Sequence, residues 1–413
     1  MKPVNIGIVG IGGFGESYMH TLGRLEPAGA AKLVSAVIRN PAKYADKLPD
    51  LEKRGVTIRS TLTEMLKEDG GKIDIVAIPT GIPQHRPMMI EAVEAGKPVV
   101  LEKPPTATIQ DMDLMEDALR RTGQWCQIGF QSQGNPAIRK LKRMICDGVF
   151  GAIKCITIKG PEMRRESYYQ RNPWAGRLRV PDGPPHEGRA SWVLDGTVMN
   201  PFAHQLMNIL YFAKPVWNET AEPVWVQAEL YRAHHIEAED TAALRIQLKE
   251  GIQIYFFSTL AGPRNGQMEI LIEGEKARAV YGPRGSAVVT YADGRVDEFP
   301  RPEPNWLDGV FTNAIQYFNG EVKELQCPLQ MTRNFVLAAN GAWMSSGIPH
   351  KIPDDVLKVY DDPKSKSLAT EIPEIEEYIN RGAAEKKLFS ELGAPWAVAR
   401  KPFSLAGFKY FDL

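Results

Sequence analysis

A group of glycines near the N-terminus has the spacing of a nucleotide-binding loop. The string Gly10-Ile11-Gly12-Gly13-Phe14-Gly15 follows a short apolar run, Val4 to Val9, and precedes a segment in which apolar residues recur at helical spacing. In such a loop the first glycine permits a tight turn, the second lets the backbone approach a pyrophosphate, and the third lets the helix pack on the strand. The helix N-terminus offers free N–H groups to the phosphates. The pattern favours dinucleotide binding over a glycine-rich turn without a ligand.

The end of the second predicted strand bears on the choice of dinucleotide. Domains that prefer NAD carry an acidic residue there, about 20 residues after the loop, which accepts the ribose hydroxyls. Here the strand end reads Val37-Ile38-Arg39-Asn40-Pro41 and contains no carboxylate. Arg39 has the charge to pair with a 2′-phosphate, although a solvated arginine would give the same sequence. We therefore expect NAD(P) as the cofactor and favour NADP.

The elements that position these residues fall into two blocks. Over residues 1–130 short apolar strands alternate with helical patterns, such as Pro83 to Ala95 and Ile109 to Arg120, which predicts a doubly wound parallel sheet. After residue 150 strand-like runs follow one another without helices between them, which predicts a mainly antiparallel sheet. Helical patterns lie at about 198–212, 306–318 and 329–346. The expected class is α/β, with an NAD(P)-binding Rossmann domain at 1–130, a substrate-binding and oligomerisation domain at 131–350, and a C-terminal extension at 351–413 that packs on the domains.

The run from Val76 to Pro105 carries motifs of a known family. It contains Ala77-Ile78-Pro79-Thr80, then His85, and ends on Glu102-Lys103-Pro104 after a short apolar strand. With Gly129-Phe130-Gln131 further on, these motifs resemble the glucose-fructose oxidoreductase, inositol dehydrogenase and rhizopine-catabolism (Gfo/Idh/MocA) family. The similarity is specific over residues 4–160 and looser to about residue 345.

The resemblance implies an activity and a set of residues. Members of the family oxidise or reduce a hydroxyl or ketone of a sugar, polyol or related molecule, and their open sheet often forms homodimers or homotetramers. Lys103 would be the catalytic lysine, with Pro104, often cis in the family, as its positioning residue. The expected cofactor contacts are Gly10, Gly12, Gly13, Phe14, Gly15, Arg39, Pro79, Thr80, His85 and Glu102.

The position of Lys103 supports a role in proton transfer independently of the resemblance. A residue at the carboxyl end of a parallel strand lies at the crevice where doubly wound sheets bind ligands. A lysine near the positive charge of an oxidised nicotinamide should have a depressed pKa, so it could take up or return the hydroxyl proton. Without the motif around it, a surface lysine at a strand end would be the simpler interpretation.

The second domain offers a histidine. Asn200-Pro201-Phe202-Ala203-His204 matches the family's Asp-x-x-x-His pattern, so the resemblance makes His204 an acid/base or substrate-binding residue, with a core histidine as the alternative. Asn200 replaces the aspartate of many relatives, and an amide can bind a sugar hydroxyl but cannot accept a proton. Helical i, i+4 spacing would place both residues on one face. Asp195 suits either a replacement carboxylate or a turn. We expect Lys103 and His204 to converge across an interdomain cleft.

The segment from Arg164 to Trp174 combines arginine, tyrosine, asparagine and tryptophan. Planar donors bind hydroxyls or carboxylates, and aromatic faces stack on sugar rings. We therefore expect Arg164, Tyr168 and Trp174 to contact a carbohydrate-like substrate, although a solvated basic loop has a similar composition.

Composition excludes several classes of function. The 413 residues include 50 Lys plus Arg and 50 Asp plus Glu, and a zero net charge argues against nucleic acid or an anionic membrane as partner. No stretch approaches the roughly 18 consecutive apolar residues of a spanning helix. The four cysteines make neither a CxxC pair nor a disulfide framework, which favours a reducing compartment and a cytoplasmic protein without a metal site.

Three functions remain in competition. The first is an NAD(P)-dependent oxidoreductase of a sugar or polyol. The second is an NAD-dependent glycoside hydrolase or lyase, in which transient oxidation acidifies a neighbouring C–H; the Asn200 replacement and the Arg164–Trp174 segment keep it open. The third is a non-catalytic sensor that kept the cofactor fold, against which the lysine and the histidine argue.

Overall fold

The computed structural model describes residues 3–180, 191–282, 285–301 and 306–413. Its strands are β1 Val4–Val9, β2 Ala31–Val37, β3 Thr57–Arg59, β4 Ile75–Ile78, β5 Val99–Leu101, β6 Cys126–Ile128, β7 Ile153–Pro161, β8 Arg179–Val180, β9 Ser191–Trp192, β10 Pro223–Arg232, β11 Thr241–Leu248, β12 Gln253–Thr259, β13 Glu269–Gly274, β14 Ala277–Tyr281, β15 Ala287–Tyr291, β16 Val296–Phe299, β17 His350–Lys351, β18 Lys358–Asp362, β19 Ser367–Glu371 and β20 Phe403–Ser404. Its α-helices are α1 Gly15–Leu25, α2 Leu48–Lys53, α3 Leu62–Asp69, α4 Ile82–Glu94, α5 Ile109–Thr122, α6 Pro136–Cys146, α7 Glu166–Tyr169, α8 Ala203–Phe212, α9 Trp306–Phe318, α10 Arg333–Ser346 and α11 Ile375–Glu385.

The chain divides into two compact units. Unit 1 comprises Met1–Thr106, Asp111–Gly134 and Glu303–Thr332, and unit 2 comprises Ala107–Gln110, Asn135–Pro302 and Arg333–Leu413. The division differs from the boundaries predicted at 130 and 350. Residues 107–110 group with unit 2, residues 131–134 group with unit 1, and the residues after 350 form no unit of their own. The segment that contains α9 also groups with the N-terminal part of the chain. Contacts of α9 explain this grouping: Phe311 meets the ring of Tyr18 edge-on at 4.9 Å, and Asp308 pairs with Arg24 at 2.6 Å.

Unit 1 contains a parallel sheet with the strand order β3-β2-β1-β4-β5-β6. The order reverses direction at β1, which is the arrangement of a doubly wound nucleotide-binding sheet. Its strands are short and almost wholly apolar because helices cover both faces, so residues such as Ile6, Ile8 and Ile75 are buried together. The predicted parallel sheet is confirmed.

Unit 2 contains a mainly antiparallel sheet with the order β16-β15-β14-β13-β7-β12-β11-β10-β17, and β20 pairs with β10. β7 pairs in parallel with β12, and β17 pairs in parallel with β10. Sequence patterning anticipated this architecture but not β14, β16, β17 or β20, which are only 5, 4, 2 and 2 residues long. The predicted mainly antiparallel sheet is confirmed.

The segment after residue 350 packs on this sheet. Ile375 and Ile379 of α11, with Phe389 and Trp396 further along the chain, join Tyr231 of β10 in one apolar cluster. The ring of Trp396 meets that of Tyr231 at 4.9 Å. The C-terminal segment is therefore part of the core of unit 2.

The helices in the described ranges lack the combination of length and apolarity that crossing a bilayer requires.

Candidate functional site

The glycine loop of unit 1 joins β1 to α1 in a conformation that only glycine adopts readily. Gly10 and Gly13 have positive φ angles of 92° and 58°. A Cβ on Gly15 would lie 2.5 Å from the carbonyl oxygen of Gly10, so the third glycine lets α1 approach the strand as predicted. The loop thus presents the N-terminus of α1 at the carboxyl end of β1.

Gly12 makes a contact that the sequence did not suggest. A Cβ at this position would lie 1.9 Å from the hydroxyl oxygen of Tyr44, which ends the single-turn 3₁₀ helix Pro41–Tyr44. The ammonium groups of Lys43 and Lys47 lie 5.6 and 5.8 Å from the centre of the Tyr44 ring. The phenol therefore covers the middle of the loop. In the sequence, Tyr44 lies only five residues after Arg39, and this proximity to the predicted cofactor residues could have indicated the contact.

The carboxyl ends of β4 and β5 carry the predicted Thr80, Glu102 and Lys103. Lys103 is partly exposed, and the peptide bond from Lys103 to Pro104 is cis. Glu102 is only 4% exposed, and its Oε2 accepts the Tyr18 hydroxyl at 3.1 Å. Burial raises the pKa of Glu102 to about 7. The ammonium of Lys103 and the Tyr18 hydroxyl lower the pKa, but by less than burial raises it. The carboxyl therefore titrates near neutral pH.

His85 of α4 lies beneath these strand ends and is fully buried. Its Nδ1 is 2.8 Å from the carbonyl oxygen of Pro104, and its Nε2 is 2.9 Å from that of Thr80. Burial lowers the pKa of His85, outweighing the two carbonyl groups. A neutral ring donates from one nitrogen only and both partners are carbonyl oxygens, so His85 can form a hydrogen bond with only one of the two strand ends at a time. Its predicted contact with a cofactor stays a prediction.

The remaining predicted cofactor residues of unit 1 lie around the loop. Arg39 is exposed just beyond the end of β2, and Phe14 is 39% exposed at the start of α1. Pro79 is buried, with its Cγ 3.5 Å from the Cβ position of Gly15. The structure thus brings the glycine loop, Pro79 and the start of α1 together, with Arg39 at the end of the neighbouring strand.

Two buried oxygens test whether unit 1 fits a nucleotide. Thr80 Oγ1 and Glu102 Oε1 are shielded from solvent and have no hydrogen-bond partner in the structure. A buried polar atom left without a partner costs about 1–3 kcal/mol, so such atoms point to a missing ligand. Both belong to residues at the carboxyl ends of parallel strands, where doubly wound sheets bind nucleotides. With the open loop at Gly10 and Gly13, these residues fit a dinucleotide.

In unit 2 the prediction for Asn200 needs a correction. The helix begins at Ala203, and Asn200 lies in the turn before it, where its N–H donates to Gly196 O at 3.0 Å. Pro201 has no N–H, and Phe202 instead donates back to Thr197 O at 2.8 Å, which delays the regular helix. The argument that i, i+4 spacing places Asn200 and His204 on one helical face is therefore wrong. His204 is the second residue of α8 and is partly exposed.

Asp195 connects Asn200 to a distant segment. Its Oδ1 accepts the Asn200 side-chain amide at 2.6 Å, and its Oδ2 accepts from Arg171 at 3.0 Å and from the Gly176 N–H at 2.8 Å. The carboxylate is nearly buried, with 2% of its side chain exposed. Asp195 thus links Asn200 to Arg171 and Gly176, and its role as a replacement carboxylate stays open.

The predicted substrate residues Arg164, Tyr168 and Trp174 lie in one cluster around Arg171. The Arg171 guanidinium lies 3.9 Å from the centre of the Tyr168 ring and 5.4 Å from that of Trp174. Arg164 lies 5.3 Å from the Tyr168 ring and pairs with Glu162 at 2.6 Å. Through Arg171 and Asp195 this cluster is connected to Asn200, so unit 2 brings the four predicted substrate residues into one network. Lys103 belongs to unit 1 and His204 to unit 2, and their convergence stays a prediction.

The fold, the glycine loop and the unpartnered strand-end oxygens define unit 1 as a Rossmann-type dinucleotide-binding domain. Residues 4–130 match a family model described as an oxidoreductase family with an NAD-binding Rossmann fold. The matched model is that of the Gfo/Idh/MocA oxidoreductases, so the resemblance seen in the sequence is confirmed over this part of the chain.

Curated relatives share this N-terminal part. The scyllo-inositol 2-dehydrogenase (NAD⁺) of Bacillus subtilis is 32% identical over 158 residues, which is 38% of this chain and 44% of the relative. The inositol 2-dehydrogenase of Klebsiella pneumoniae is 24% identical over 150 residues, 36% of this chain and 43% of the relative. The chain thus matches less than half the length of these relatives.

Solved structures share the fold over a larger part of the chain. The WlbA dehydrogenase of Bordetella pertussis, in complex with NADH and UDP-GlcNAcA, has a TM-score of 0.67 at 23% identity, covering 84% of this chain and 98% of its own. The aldose-aldose oxidoreductase of Caulobacter crescentus, complexed with glycerol, has a TM-score of 0.66 at 18% identity, with 83% and 97% covered. At these identities the likeness establishes the fold.

Proposed function

We propose that the chain is an NAD(P)-dependent oxidoreductase that acts on a hydroxyl or ketone of a sugar, a polyol or a sugar derivative. The observation that carries this proposal is the segment Glu102-Lys103-Pro104 at the end of β5, in a domain of an NAD-binding oxidoreductase family, where Glu102 Oε1 is buried without a partner. The names of the relatives and of the solved structures, which concern inositols, a UDP-sugar acid and aldoses, support a polyhydroxylated substrate.

Residues of unit 1 hold the cofactor and exchange the proton in this proposal. The glycine loop, Thr80 and Glu102 bind the dinucleotide, whose nicotinamide supplies hydride transfer when bound. Lys103 Nζ takes the proton from the substrate hydroxyl during oxidation and returns it during reduction. Arg39, exposed at the end of β2, selects the 2′-phosphate of NADP.

Residues of unit 2 bind the carbohydrate and supply a second proton-transfer group. Arg164 and Asn200 donate hydrogen bonds to hydroxyl or carboxyl oxygens, and Tyr168 and Trp174 offer ring faces. His204 is the second group because it is partly exposed at the start of α8, and imidazole is the side chain best suited to proton exchange near neutral pH.

The test combines binding with turnover. The protein is titrated with NAD⁺ and with NADP⁺, then assayed for reduced cofactor with scyllo-inositol, myo-inositol, glucose and UDP-sugars. We expect binding of at least one nucleotide, turnover of at least one polyol, and a loss of kcat of at least about 100-fold in Lys103→Met, the lower range of a general acid–base contribution. Lys72→Met, an exposed lysine of unit 1, is the control and should keep full activity.

Three outcomes would contradict the proposal or one of its parts. Failure to bind either nucleotide would show that the protein does not use NAD(P). Release of the aglycone from a chromogenic glycoside, without net accumulation of reduced cofactor, would assign the chain to redox-assisted hydrolysis instead. Unchanged kcat in Lys103→Met would remove the lysine from the mechanism.

We further propose that the protein assembles as a homodimer or homotetramer, in keeping with the resemblance. Light scattering during size-exclusion chromatography measures the mass directly, and a mass of 46.0 kDa, that of one chain, would contradict the proposal.

A further inference from the structure

Glu239 lies in the interior of unit 2, two residues before β11, and has no part in the mechanism above. It is fully buried, and its Oε1 accepts the N–H of Val198 at 3.0 Å. Its main-chain oxygen accepts the N–H of Thr197 at 3.0 Å. Both donors belong to the turn between Asp195 and α8. One residue therefore contributes a side-chain and a main-chain acceptor to the segment that carries Asn200.

The second carboxyl oxygen of Glu239 shows how closely the turn packs on this side chain. Oε2 is buried without a hydrogen-bond partner, and a Cβ added to Gly196 would lie 1.8 Å from it. Gly196 is the residue whose carbonyl accepts the Asn200 N–H, and Thr197 is the residue whose carbonyl accepts the Phe202 N–H. Displacement of Glu239 would therefore shift both hydrogen bonds that lead into α8.

We propose that Glu239 is the positioning residue for Asn200 and His204, and that it acts by fixing the turn of residues 196–200 through these backbone contacts. The proposal rests on the proposed function in assigning Asn200 and His204 to the substrate site. Glu239 itself has no contact with solvent, so it does not act on the substrate.

The charge of Glu239 should control this positioning. Burial raises the pKa of Glu239 to about 8, and the carboxylates of Asp195 and Asp240 raise it further, while the Val198 N–H lowers it. Near pH 7 the group is a neutral acid that accepts the Val198 N–H. Above about pH 8 it ionises beside two carboxylates, one of which, Asp195, binds the Asn200 amide. Repulsion should then displace the turn.

The histidine ring signals provide a readout that does not depend on turnover. The protein is labelled at its histidines, the His204 signal is assigned by its loss in His204→Gln, and its chemical shift is followed from pH 5.5 to 9.5. We expect an inflection near pH 8 in the wild type that disappears in Glu239→Gln, which stays neutral and keeps an acceptor for Val198. Glu229→Gln is the matched control, since Glu229 is also buried but binds Tyr231 and Ser390 instead.

The second experiment measures kcat as a function of pH. With a polyol that the wild type oxidises, kcat should fall more than threefold between pH 8 and 9.5 relative to Glu239→Gln, while the Kd for the nucleotide stays within twofold. Glu239→Ala should lower kcat at least tenfold at every pH; if this variant does not fold, Glu239→Gln decides.

The outcomes separate the two proposals. An inflection of His204 that survives in Glu239→Gln overturns the positioning role, whatever the activity. Absence of nucleotide binding or of turnover in the wild type, with the inflection behaving as expected, refutes the proposed function and leaves the role of Glu239 in the turn.

Discussion

The hydroxyl of Tyr18 donates to Glu102 Oε2 at 3.1 Å in the interior of unit 1. Tyr18 belongs to α1, directly after the glycine loop, and Glu102 follows β5, so this hydrogen bond joins the nucleotide loop to the strand end that carries Lys103. Because burial raises the pKa of Glu102 to about 7, the bond stabilises a carboxyl that is partly ionised at neutral pH. The ionisation of Glu102, next to Lys103, thus depends on the Tyr18 hydroxyl of α1.

Removing this donor should destabilise the protein more at alkaline pH. The folded-state pKa of Glu102 is raised above its unfolded value, so its contribution to stability falls as the pH rises from about 4.5 through 7. In Tyr18→Phe the ionised carboxylate loses its partner, which should cost about 1–3 kcal/mol at pH 8 and less at pH 5.5. Urea unfolding at both pH values measures this. Tyr410→Phe, at an exposed tyrosine, is the control, and an equal loss at the two pH values would contradict the interpretation.

Alanine substitutions at Gly15, Gly12 and Gly23 should differ in their effects, because the space around the three glycines differs. Gly15→Ala places a Cβ 2.5 Å from backbone, which cannot move without displacing the loop, so it should lower the melting temperature and abolish nucleotide binding. For Gly12→Ala the three atoms nearest to the new Cβ all belong to the Tyr44 side chain, so the double variant with Tyr44→Ala should recover most of the lost stability. Gly23→Ala, on the exposed side of α1 with open space around it, should stabilise by up to about 1 kcal/mol. Equal effects at the three positions would contradict this ranking.

The fold of unit 1 could be predicted because its determinants are local. The helix expected at Pro83–Ala95 is α4, Ile82–Glu94, and the strand expected before Lys103 is β5. Both are indicated by apolar runs and terminating glycines, which are patterns of neighbouring residues in the sequence. Grouping α9 with unit 1 depends on Phe311 meeting Tyr18, almost 300 positions away in the sequence, and no periodicity reveals such a pair.

The site in unit 2 was only partly predictable for the same reason. Composition singled out Arg164, Tyr168 and Trp174, and the structure places them together. Their connection to Asn200 depends on Arg171 and Asp195, whose pairing is a tertiary contact. The start of α8 was misjudged because apolar spacing continues through residues 198–202, although Pro201 and the Phe202 hydrogen bond to Thr197 keep that stretch out of the helix.

Lys142 should make stability rise with pH above neutrality. Its ammonium group is buried in unit 2 and donates to the carbonyl oxygens of Tyr211, Lys214 and Glu219 near the end of α8. Burial lowers the pKa of Lys142 to about 7. Between about pH 7 and 10.5 the unfolded chain therefore binds a proton that the folded protein does not, so raising the pH favours folding by up to about 1.4 kcal/mol per pH unit.

The variant Lys142→Met isolates this contribution. Its free energy of unfolding in urea, subtracted from that of the wild type at pH 7, 8 and 9, should give a difference that grows with pH. Lys140→Met removes an exposed lysine from the same helix and should give a constant difference. A flat profile for Lys142→Met would show that the ammonium stays charged in the folded protein.

Arg39 should discriminate between the two dinucleotides. A guanidinium paired with a 2′-phosphate contributes about 1.5–3 kcal/mol, so Arg39→Ala should raise the Kd for NADP⁺ by about 10- to 100-fold. The Kd for NAD⁺ should change less than twofold, since that ligand has no phosphate at this position. Calorimetric titration of both nucleotides gives the ratio. Lys32→Ala, an exposed cation on β2, is the control for general charge, and equal losses for both nucleotides would remove Arg39 from phosphate recognition.

Phe411 should stabilise the short strands β8 and β9 from the end of the chain. Its ring is fully buried and meets that of Trp192 edge-on at 5.0 Å, while Arg179 lies 3.7 Å from the centre of the Trp192 ring. Its backbone N–H and carbonyl both bind the Gln110 amide, at 3.0 and 2.9 Å. Phe411→Ala removes a core aromatic side chain, a change that typically costs about 3–5 kcal/mol.

Hydrogen exchange locates the effect of this substitution. Amides of β8 and β9 should exchange at least tenfold faster in Phe411→Ala, because the apolar contact that covers Trp192 is lost, while amides of β1 and β4 in unit 1 should be unchanged. Leu413→Ala, two positions further along the chain at a 40% exposed side chain, is the matched control. Unchanged protection of β8 and β9 in Phe411→Ala would show that Trp192 and Arg179 stabilise these strands without the C-terminal residues.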